Sequence, residues 1–241
     1  MISIAVLTKK GSREMNEDSL AYKQQGEEAL LALADGLGGH SKGEIASQTA
    51  VAEALCCFTP NGEERADVVQ AFQKAQNAIM QKQNQMHEID GMKTTMVLCR
   101  ISQSKIVWAH IGDSRLYLFE KGKMITRTLD HSVPQLLVFA GDIKEKQIRF
   151  HPDRSRLLKV MGIPWEKPDY EVGEIRARKP GQAILMCSDG FWEWIDEKKM
   201  IHCLKKAKDV EQWLELMRQE VEKNGRGKEM DNYTAICAWV N

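Results

Sequence analysis

The sequence has no surplus of positive charge, because its 241 residues carry 34 lysines and arginines against 34 aspartates and glutamates. A dedicated nucleic-acid-binding protein needs such a surplus to neutralise phosphates, so that class is excluded. No apolar run approaches the roughly 18 residues that span a bilayer. The opening MISIAVL also lacks the basic stretch and cleavage site of a signal peptide. We therefore expect a cytoplasmic protein that does not contact a membrane.

The six cysteines show no C-x-x-C spacing, which argues against a disulfide framework. Most of them lie within apolar stretches, such as 97–99 and 185–187. Free cysteines in such positions behave as small buried hydrophobic residues, and they are typical of a reducing compartment. Stability should therefore come from a hydrophobic core, which a chain of this length can bury without disulfides.

The chain contains no internal repeat and no linker rich in proline, glycine or serine, so we expect one domain over residues 1–241. Short strand-like segments follow one another through short polar turns, which favours antiparallel pairing. Apolar residues at three- and four-residue spacing predict helices in separate blocks. Together these patterns predict an α+β sandwich. The predicted strands are Ile2–Thr8, Ala29–Ala34, Thr94–Ile101, Ile106–His110, Arg115–Phe119, Met124–Thr128, Ala183–Ser188 and Tyr233–Val240, and the predicted helices cover Glu44–Phe58, Val68–Ile79 and Val210–Val221.

Several aspartates lie where a predicted strand begins or ends, namely Asp35, Asp113, Asp189 and Asp231. A single Asp-Gly after a strand is usually only a turn, because both residues tolerate the dihedral angles that turns require. Four such sites are harder to explain in that way. If the sheets stack, the loops meet at one end, and carboxylates gathered there repel one another strongly unless cations bind between them. Ligation by oxygen alone favours Mg²⁺ or Mn²⁺ over zinc.

These segments resemble the motifs of the protein phosphatase 2C family, the metal-dependent Ser/Thr protein phosphatases. The resemblance follows the order of the family's motifs across nearly the whole chain. The matching segments are Arg13-x-x-Asn16-Glu17-Asp18, Ala34-Asp35-Gly36-Leu37-Gly38-Gly39-His40, Gly43-x-x-Ala46-Ser47, Thr94-Thr95, Gly112-Asp113-Ser114-Arg115, Asp130-His131-Ser132, His151-Pro152, Ser188-Asp189-Gly190 and Asp231-Asn232-x-Thr234.

The resemblance implies a four-layer α-β-β-α sandwich, in which two central antiparallel β-sheets are flanked by helices. It implies a phosphatase that removes phosphate from phosphoserine and phosphothreonine on proteins, through a hydroxide that bridges two Mn²⁺ or Mg²⁺ ions, without a phosphoenzyme. A flap-like segment is expected at about residues 132–173. The compact size is similar to that of bacterial stand-alone members, which implies a monomer that opposes a Ser/Thr kinase in signal transduction.

For the metals, the resemblance implies that Asp35 bridges two ions and that the Gly36 carbonyl binds one of them. Asp189 and Asp231 would complete the other site. Asp113, together with Asp189, is where family members often hold a third, weaker metal.

Other positions carry roles around these ligands. Asp18 and Glu17 would act largely through metal-bound waters. Asn232, like Glu17, would support the ligands without binding metal directly. Arg13 would grip the substrate phosphate with its planar guanidinium. His40 is the candidate acid for the leaving oxygen, although a loop histidine that bonds to the backbone or steers substrate is the alternative.

Two further histidines have simpler interpretations, since His110 lies within an apolar strand and His131 is expected to support structure near the site.

The sequence also departs from the family pattern. Lys93 stands where a glycine normally precedes the threonine pair, and Ser155 and Lys159 replace frequent flap residues. None of these three positions is a predicted metal ligand.

Three alternatives remain to be weighed. A catalytically silent, phosphatase-like module that binds phosphoproteins should have lost a ligand, yet Asp35, Asp189 and Asp231 are all present. A cysteine-dependent phosphatase is excluded, because no cysteine is followed by an arginine six positions later. A metal-dependent phosphoesterase for nucleotides or small molecules would use the same ligands, and only the neutral charge and the full-length resemblance favour protein substrates.

Overall fold

The chain forms two antiparallel sheets. The structure is a computed structural model that describes residues 1–38, 42–88 and 91–240. The strands of the first sheet are β1 (Ile2–Lys9), β6 (Arg115–Glu120), β7 (Lys123–Arg127), β10 (Gln182–Cys187) and β11 (Tyr233–Val240). Their order is β1–β11–β10–β6–β7. Because β11 pairs with β1 on one side and with β10 on the other, it lies inside the sheet.

The second sheet follows the chain order more closely, and β2–β3 and β4–β5 are joined as hairpins. Its strands are β2 (Asp18–Gln25), β3 (Glu28–Asp35), β4 (Met96–Ile101), β5 (Lys105–Ile111) and β8 (Glu171–Val172), and the short β9 (Arg176–Ala177) also pairs with β5. Every residue of β4 is buried, as is every residue of β3 except Asp35. The sequences of both strands are largely apolar because both faces of the sheet are covered.

Helices cover the outer faces of both sheets. The helices are α1 (Gly43–Leu55), α2 (Glu64–Met86), α3 (Val133–Ala140), the short α4 (Asp189–Trp192), α5 (Glu197–Lys206) and α6 (Val210–Gly225), with a 3₁₀ helix at Glu145–Phe150. The apolar stripe of α2 that begins at Val68 and Phe72 is buried against the second sheet. Among the helices of the described residues, none is long and apolar enough to cross a membrane.

Three apolar layers account for the architecture. The middle layer lies between the sheets and joins residues such as Leu31 and Leu33 of β3 to Ile236 of β11. One outer layer lies under α1 and α2, and the other under α5 and α6. Alternate residues of one strand therefore face different layers, as Leu30 and Leu31 do. The predicted four-layer α-β-β-α sandwich is confirmed.

The sequence patterns located most of the longer elements but missed β2, α3 and α5, the short β8, β9 and α4, and the 3₁₀ helix. The strand β2 was not predicted, because its sequence DSLAYKQQ is largely polar and it lies at the edge of its sheet. The helix α5 was not predicted either, since only Met200 and Cys203 of its residues are buried. The six cysteines are free, and five of them are buried, as expected.

The predicted flap, residues 132–173, contains α3 and the 3₁₀ helix but little other regular structure. Isolated bridges attach it to itself and to the second sheet. Ser132 pairs with Leu157, and Met161 pairs with Thr94, two residues before β4. The segment is therefore anchored close to the loops that follow β3 and β5.

A buried cation ties α2 to the second sheet. Arg100 of β4 is fully buried, and its guanidinium contacts the carboxylates of Glu28 and Asp67. It also donates to the main-chain oxygens of Thr59 and Ile101. Unpaired donors on a buried guanidinium would cost free energy, and here the donors are met by partners from β3, β4, α2 and the loop before α2.

We expect Arg100→Met to lower the free energy of unfolding by about 3–5 kcal/mol, because it leaves two buried carboxylates without their counter-charge. Urea unfolding of the two proteins measures this change. Arg218→Met is the matched control, since Arg218 pairs with Glu215 and Glu222 on the partly exposed face of α6. That control should cost less than about 1 kcal/mol. Equal losses in both variants would contradict the role assigned to the buried network.

Candidate metal centre

Strand pairing places the first two aspartates opposite each other. In the antiparallel register of β2 and β3, Asp18 is the partner of Asp35. Side chains of such cross-strand partners lie close together on one face of a sheet. The two carboxylates therefore meet at one end of the second sheet.

The first sheet delivers the other aspartates to the same end. The last residue of β10, Cys187, is aligned with Arg115 of β6 and with Ala235 of β11. Asp189, Asp113 and Asp231 lie just beyond these three positions. Ser188 joins the two sheets here, because its hydroxyl donates to Asp18 Oδ2 at 2.8 Å and accepts from the main-chain N–H of Thr234 at 3.0 Å.

A cavity of about 310 Å³ collects most of the predicted site residues. Asp18 lies beside it, bonded to Ser188, and the flap contributes Ser155 and Leu157 to its wall. His40, the predicted acid, lies outside the described residues. The predicted residues that line the cavity are Arg13, Glu17, Asp35, Gly36, Asp113, Asp189, Asp231 and Asn232.

Four aspartates of this site, Asp18, Asp35, Asp113 and Asp189, have a raised pKa. Burial, followed by repulsion from Asp18 and Asp189, raises the pKa of Asp35 well above its usual range. Burial and Asp189 do the same to the pKa of Asp113. Burial raises the pKa of Asp18 to about 7, and burial together with Asp231 raises the pKa of Asp189 to about 6. Each pKa is raised because the charged carboxylate is removed from water and lies near other carboxylates.

The donor set fits hard divalent cations. The cavity offers carboxylate and main-chain oxygens, which Mg²⁺ and Mn²⁺ prefer. Asp18 Oδ1 is buried and has no hydrogen-bond partner among the described residues. Gly36 brings its main chain close to the site, since a Cβ atom there would lie 2.3 Å from the Gly43 carbonyl oxygen and 2.8 Å from that of Glu17.

The threonine pair holds Asp35 by its main chain. The Thr95 N–H donates to the Asp35 carbonyl at 2.8 Å, and Thr95 Oγ1 accepts from the Asp35 N–H at 3.0 Å. Thr94 Oγ1 donates to the same carbonyl at 2.8 Å. Lys93, which departs from the family pattern, accepts from the Leu37 N–H through its own carbonyl at 2.9 Å. This contact uses only main-chain atoms, so the lysine side chain does not disturb it.

Asn232, which directly precedes β11, forms hydrogen bonds to the N-terminal segment that carries Arg13 and Glu17. Its side-chain oxygen accepts from the Glu17 N–H at 2.8 Å, and its amide donates to the carbonyls of Lys10 and Met15, each at 2.9 Å. The loop that carries Arg13 and Glu17 is thereby fixed beside the cavity. Burial, followed by repulsion from Glu44, raises the pKa of Glu17.

Arg13 contacts a predicted metal ligand. Its Nη2 donates to Asp231 Oδ2 at 2.6 Å, and the side chain is largely exposed at the rim of the cavity. Sequence reasoning placed Arg13 on the substrate phosphate and did not foresee this ion pair. Both contacts are within reach of a side chain at the cavity entrance.

Glu193 is an acidic residue of this region that the sequence analysis did not name. It lines an adjoining cavity of about 440 Å³ together with Arg13, Asp189 and Asp231. Its carboxylate accepts from Arg154 Nε at 2.6 Å, and burial together with Asp189 raises its pKa to about 7. One helical turn separates Glu193 from Asp189, and that spacing was the signal available in the sequence.

Three side chains that do not line the cavity also bring possible ligand atoms within 4.8 Å of one another, namely His110, His131 and Glu171. The His110 Nε2 donates to the Leu129 carbonyl at 2.7 Å. The two imidazole rings stack, with centroids 4.7 Å apart and planes 14° from parallel. The lone pairs of nearly parallel rings do not converge on one ion, so this arrangement favours packing over metal ligation.

The comparison with known proteins agrees with this geometry. The family model for protein phosphatase 2C matches residues 9–234, which include all the site residues described above. The chain belongs to the protein phosphatase 2C family. The Ser/Thr protein phosphatase PstP of Mycobacterium tuberculosis is 31% identical over 230 residues, which are 95% of this chain and 43% of PstP. The Ser/Thr phosphatase Stp of Listeria innocua is 28% identical over 238 residues, which are 95% of this chain and 92% of Stp.

The chain thus spans less than half of one curated relative and nearly all of another.

Solved structures of the family share its architecture. The crystal structure of M. tuberculosis PstP/Ppp matches with a TM-score of 0.86 at 29% identity, covering 100% of this chain and 99% of that one. A PstP catalytic domain in complex with two manganese ions matches with a TM-score of 0.82 at 28% identity, covering 99% and 97%.

We expect Asp35→Asn to abolish the rise in melting temperature that Mn²⁺ produces, because ligand binding stabilises only a protein that can bind it. The metal-free variant should melt at a higher temperature than the metal-free parent. A carboxyl whose pKa is raised in the folded state destabilises that state at neutral pH, and asparagine removes the charge. Melting curves with and without Mn²⁺ measure both effects.

The exposed Asp142 provides the control, since Asp142→Asn should leave the response to Mn²⁺ unchanged. An Asp35→Asn variant that still gains the full Mn²⁺ stabilisation would show that Asp35 is not a ligand.

Proposed function

We propose that this protein is a metal-dependent Ser/Thr protein phosphatase that hydrolyses phosphoserine and phosphothreonine on proteins. The observation that supports the proposal most directly is the convergence of carboxylates on one cavity with an arginine at its rim. Membership of the protein phosphatase 2C family adds to it. Relatives that share the fold are described as Ser/Thr phosphatases.

The residues that would hold the metals follow from their positions around the cavity. Asp35 and the Gly36 carbonyl would hold one ion, and Asp35, Asp189 and Asp231 the other. Asp113, with Asp189, would hold a weaker third ion. When bound, Mn²⁺ or Mg²⁺ supplies a water nucleophile of lowered pKa and balances the charge of the phosphate.

The chain's own side chains would orient the phosphoester. Arg13 would donate two parallel hydrogen bonds to phosphate oxygens, which fixes the phosphorus for attack in line with the leaving oxygen. Water is the nucleophile, so no phosphoenzyme forms. The serine or threonine oxygen that leaves must gain a proton, and His40 remains the candidate donor.

The reaction class defines the partners. The substrates would be phosphorylated proteins, and a Ser/Thr kinase must produce them. We propose that the protein acts as a monomer in the cytoplasm. A catalytically silent module is not favoured, because Asp35, Asp113, Asp189 and Asp231 all line the cavity.

We expect metal-free protein to release phosphate from a phosphothreonine peptide only as Mn²⁺ is added, and to lose this activity when EDTA removes the metal. Phosphate release over a Mn²⁺ titration measures the effect. Asp189→Asn is the control, and it should remain inactive at Mn²⁺ concentrations that saturate the parent. A folded parent that stays inactive at every Mn²⁺ concentration would refute the proposed function.

We expect Arg13→Ala to raise KM for the phosphopeptide roughly 10- to 100-fold, the value of a charge-assisted contact of about 1.5–3 kcal/mol. The Mn²⁺ concentration that gives half-maximal activity should stay near that of the parent. Steady-state kinetics at several Mn²⁺ concentrations separate the two quantities. If instead the Mn²⁺ requirement rises and KM does not, Arg13 acts on Asp231 and not on the substrate.

A further inference from the structure

The short helix α4 contacts two of the aspartates that line the cavity. Asp189 is its first residue and Trp192 its last. Trp192 is almost completely buried, and its indole Nε1 donates to the main-chain carbonyl of Asp113 at 3.0 Å. One turn of helix therefore carries one carboxylate and fixes the backbone of another.

The indole is itself held from several directions. The guanidinium carbon of Arg115 lies 3.5 Å from the centre of the Trp192 ring, a cation–π contact. Arg115 is buried and makes two hydrogen bonds to Asp130, at 2.8 and 2.6 Å. From the flap, Arg149 Nη1 donates to the carbonyl of Trp192 at 2.8 Å. Trp192 thus has little freedom to move relative to Asp113.

A close main-chain contact holds α4 against the segment that carries Asp231. A Cβ atom on Gly190 would lie 2.1 Å from the carbonyl oxygen of Asn232, so only glycine allows this approach. Groups behind metal ligands that fix their orientation commonly matter for affinity almost as much as the ligands do.

We propose that Trp192 is a positioning residue, whose indole N–H fixes Asp113 relative to Asp189 and so sets the affinity for Mn²⁺ at the position these two aspartates share. The inference rests on the proposed function, because it assumes that the cavity binds Mn²⁺. It assigns Trp192 no contact with the metal or with substrate.

Packing alone is the competing explanation for a buried tryptophan, and the chain offers a matched control. Trp213 of α6 is fully buried in the same apolar layer as Trp192. Its Nε1 also donates to a main-chain carbonyl, that of Met200 in α5, at 3.2 Å. Tryptophan to phenylalanine removes an indole N–H at either position and keeps an aromatic ring, but only position 192 is bonded to a residue of the cavity.

The experiment compares Trp192→Phe and Trp213→Phe by calorimetric titration of Mn²⁺ into the metal-free, full-length proteins. We expect the weakest Mn²⁺ binding event of Trp192→Phe to have a dissociation constant on the order of 10-fold higher than that of the parent. Trp213→Phe should bind Mn²⁺ as the parent does. Melting temperatures of the metal-free proteins should fall in both variants, since each loses a buried hydrogen bond.

A double variant separates action through Asp113 from a general loss of order. If Trp192 acts through Asp113, then Trp192→Phe should add nothing to the weaker Mn²⁺ binding of Asp113→Ala. Additive losses would overturn the proposal, as would Mn²⁺ binding by Trp192→Phe that equals that of Trp213→Phe. If the parent binds Mn²⁺ but releases no phosphate from the peptide, the proposed function fails while the calorimetric comparison still tests Trp192.

Discussion

Repulsion among carboxylates at one end of the sandwich is the constraint on which the rest of this structure depends. Asp18, Asp35, Asp113, Asp189 and Asp231 converge there, and burial together with neighbouring carboxylates raises the pKa of the first four. Holding them together costs free energy. Burial of the three apolar layers offsets that cost. A divalent cation bound among the carboxylates would replace their repulsion by net attraction.

The groups that hold these carboxylates in place are mostly neutral. Thr94 and Thr95 bind the main chain of Asp35, Ser188 binds Asp18, and Trp192 binds the main chain of Asp113. A lysine or a buried arginine in these positions would neutralise the cavity and weaken metal binding. Among the described residues that line it, Arg13 is the cation, and its side chain is largely exposed at the rim.

Local patterns in the sequence predicted the parts of the fold that are buried on two faces. Apart from Glu28, Asp35, Arg100 and Gln182, the runs of β3, β4 and β10 are apolar, and Asp35 and Asp189 lie at or just beyond the ends of β3 and β10. The edge strand β2 was not predicted, because its sequence has no alternation of apolar and polar residues that distinguishes it from a loop. The family resemblance then ordered the aspartates into one candidate site.

What the sequence could not provide are contacts between distant segments. The pairing of Arg13 with Asp231, the bond from Trp192 to Asp113 and the place of Glu193 beside Arg154 all depend on how loops from different strands meet. Each residue type was visible, but a lone tryptophan or glutamate has many uses. Only the packed structure selects one of them.

The interior position of β11 has a consequence for how the protein is made. This strand lies between β1 and β10, so the first sheet cannot close until residues 233–240 have left the ribosome. Pairing of β1 with β11 joins residues that are more than two hundred positions apart, and such non-local contacts form late. Asp231 and Asn232 directly precede β11. A nascent chain therefore cannot complete the carboxylate cavity until this strand has been synthesised.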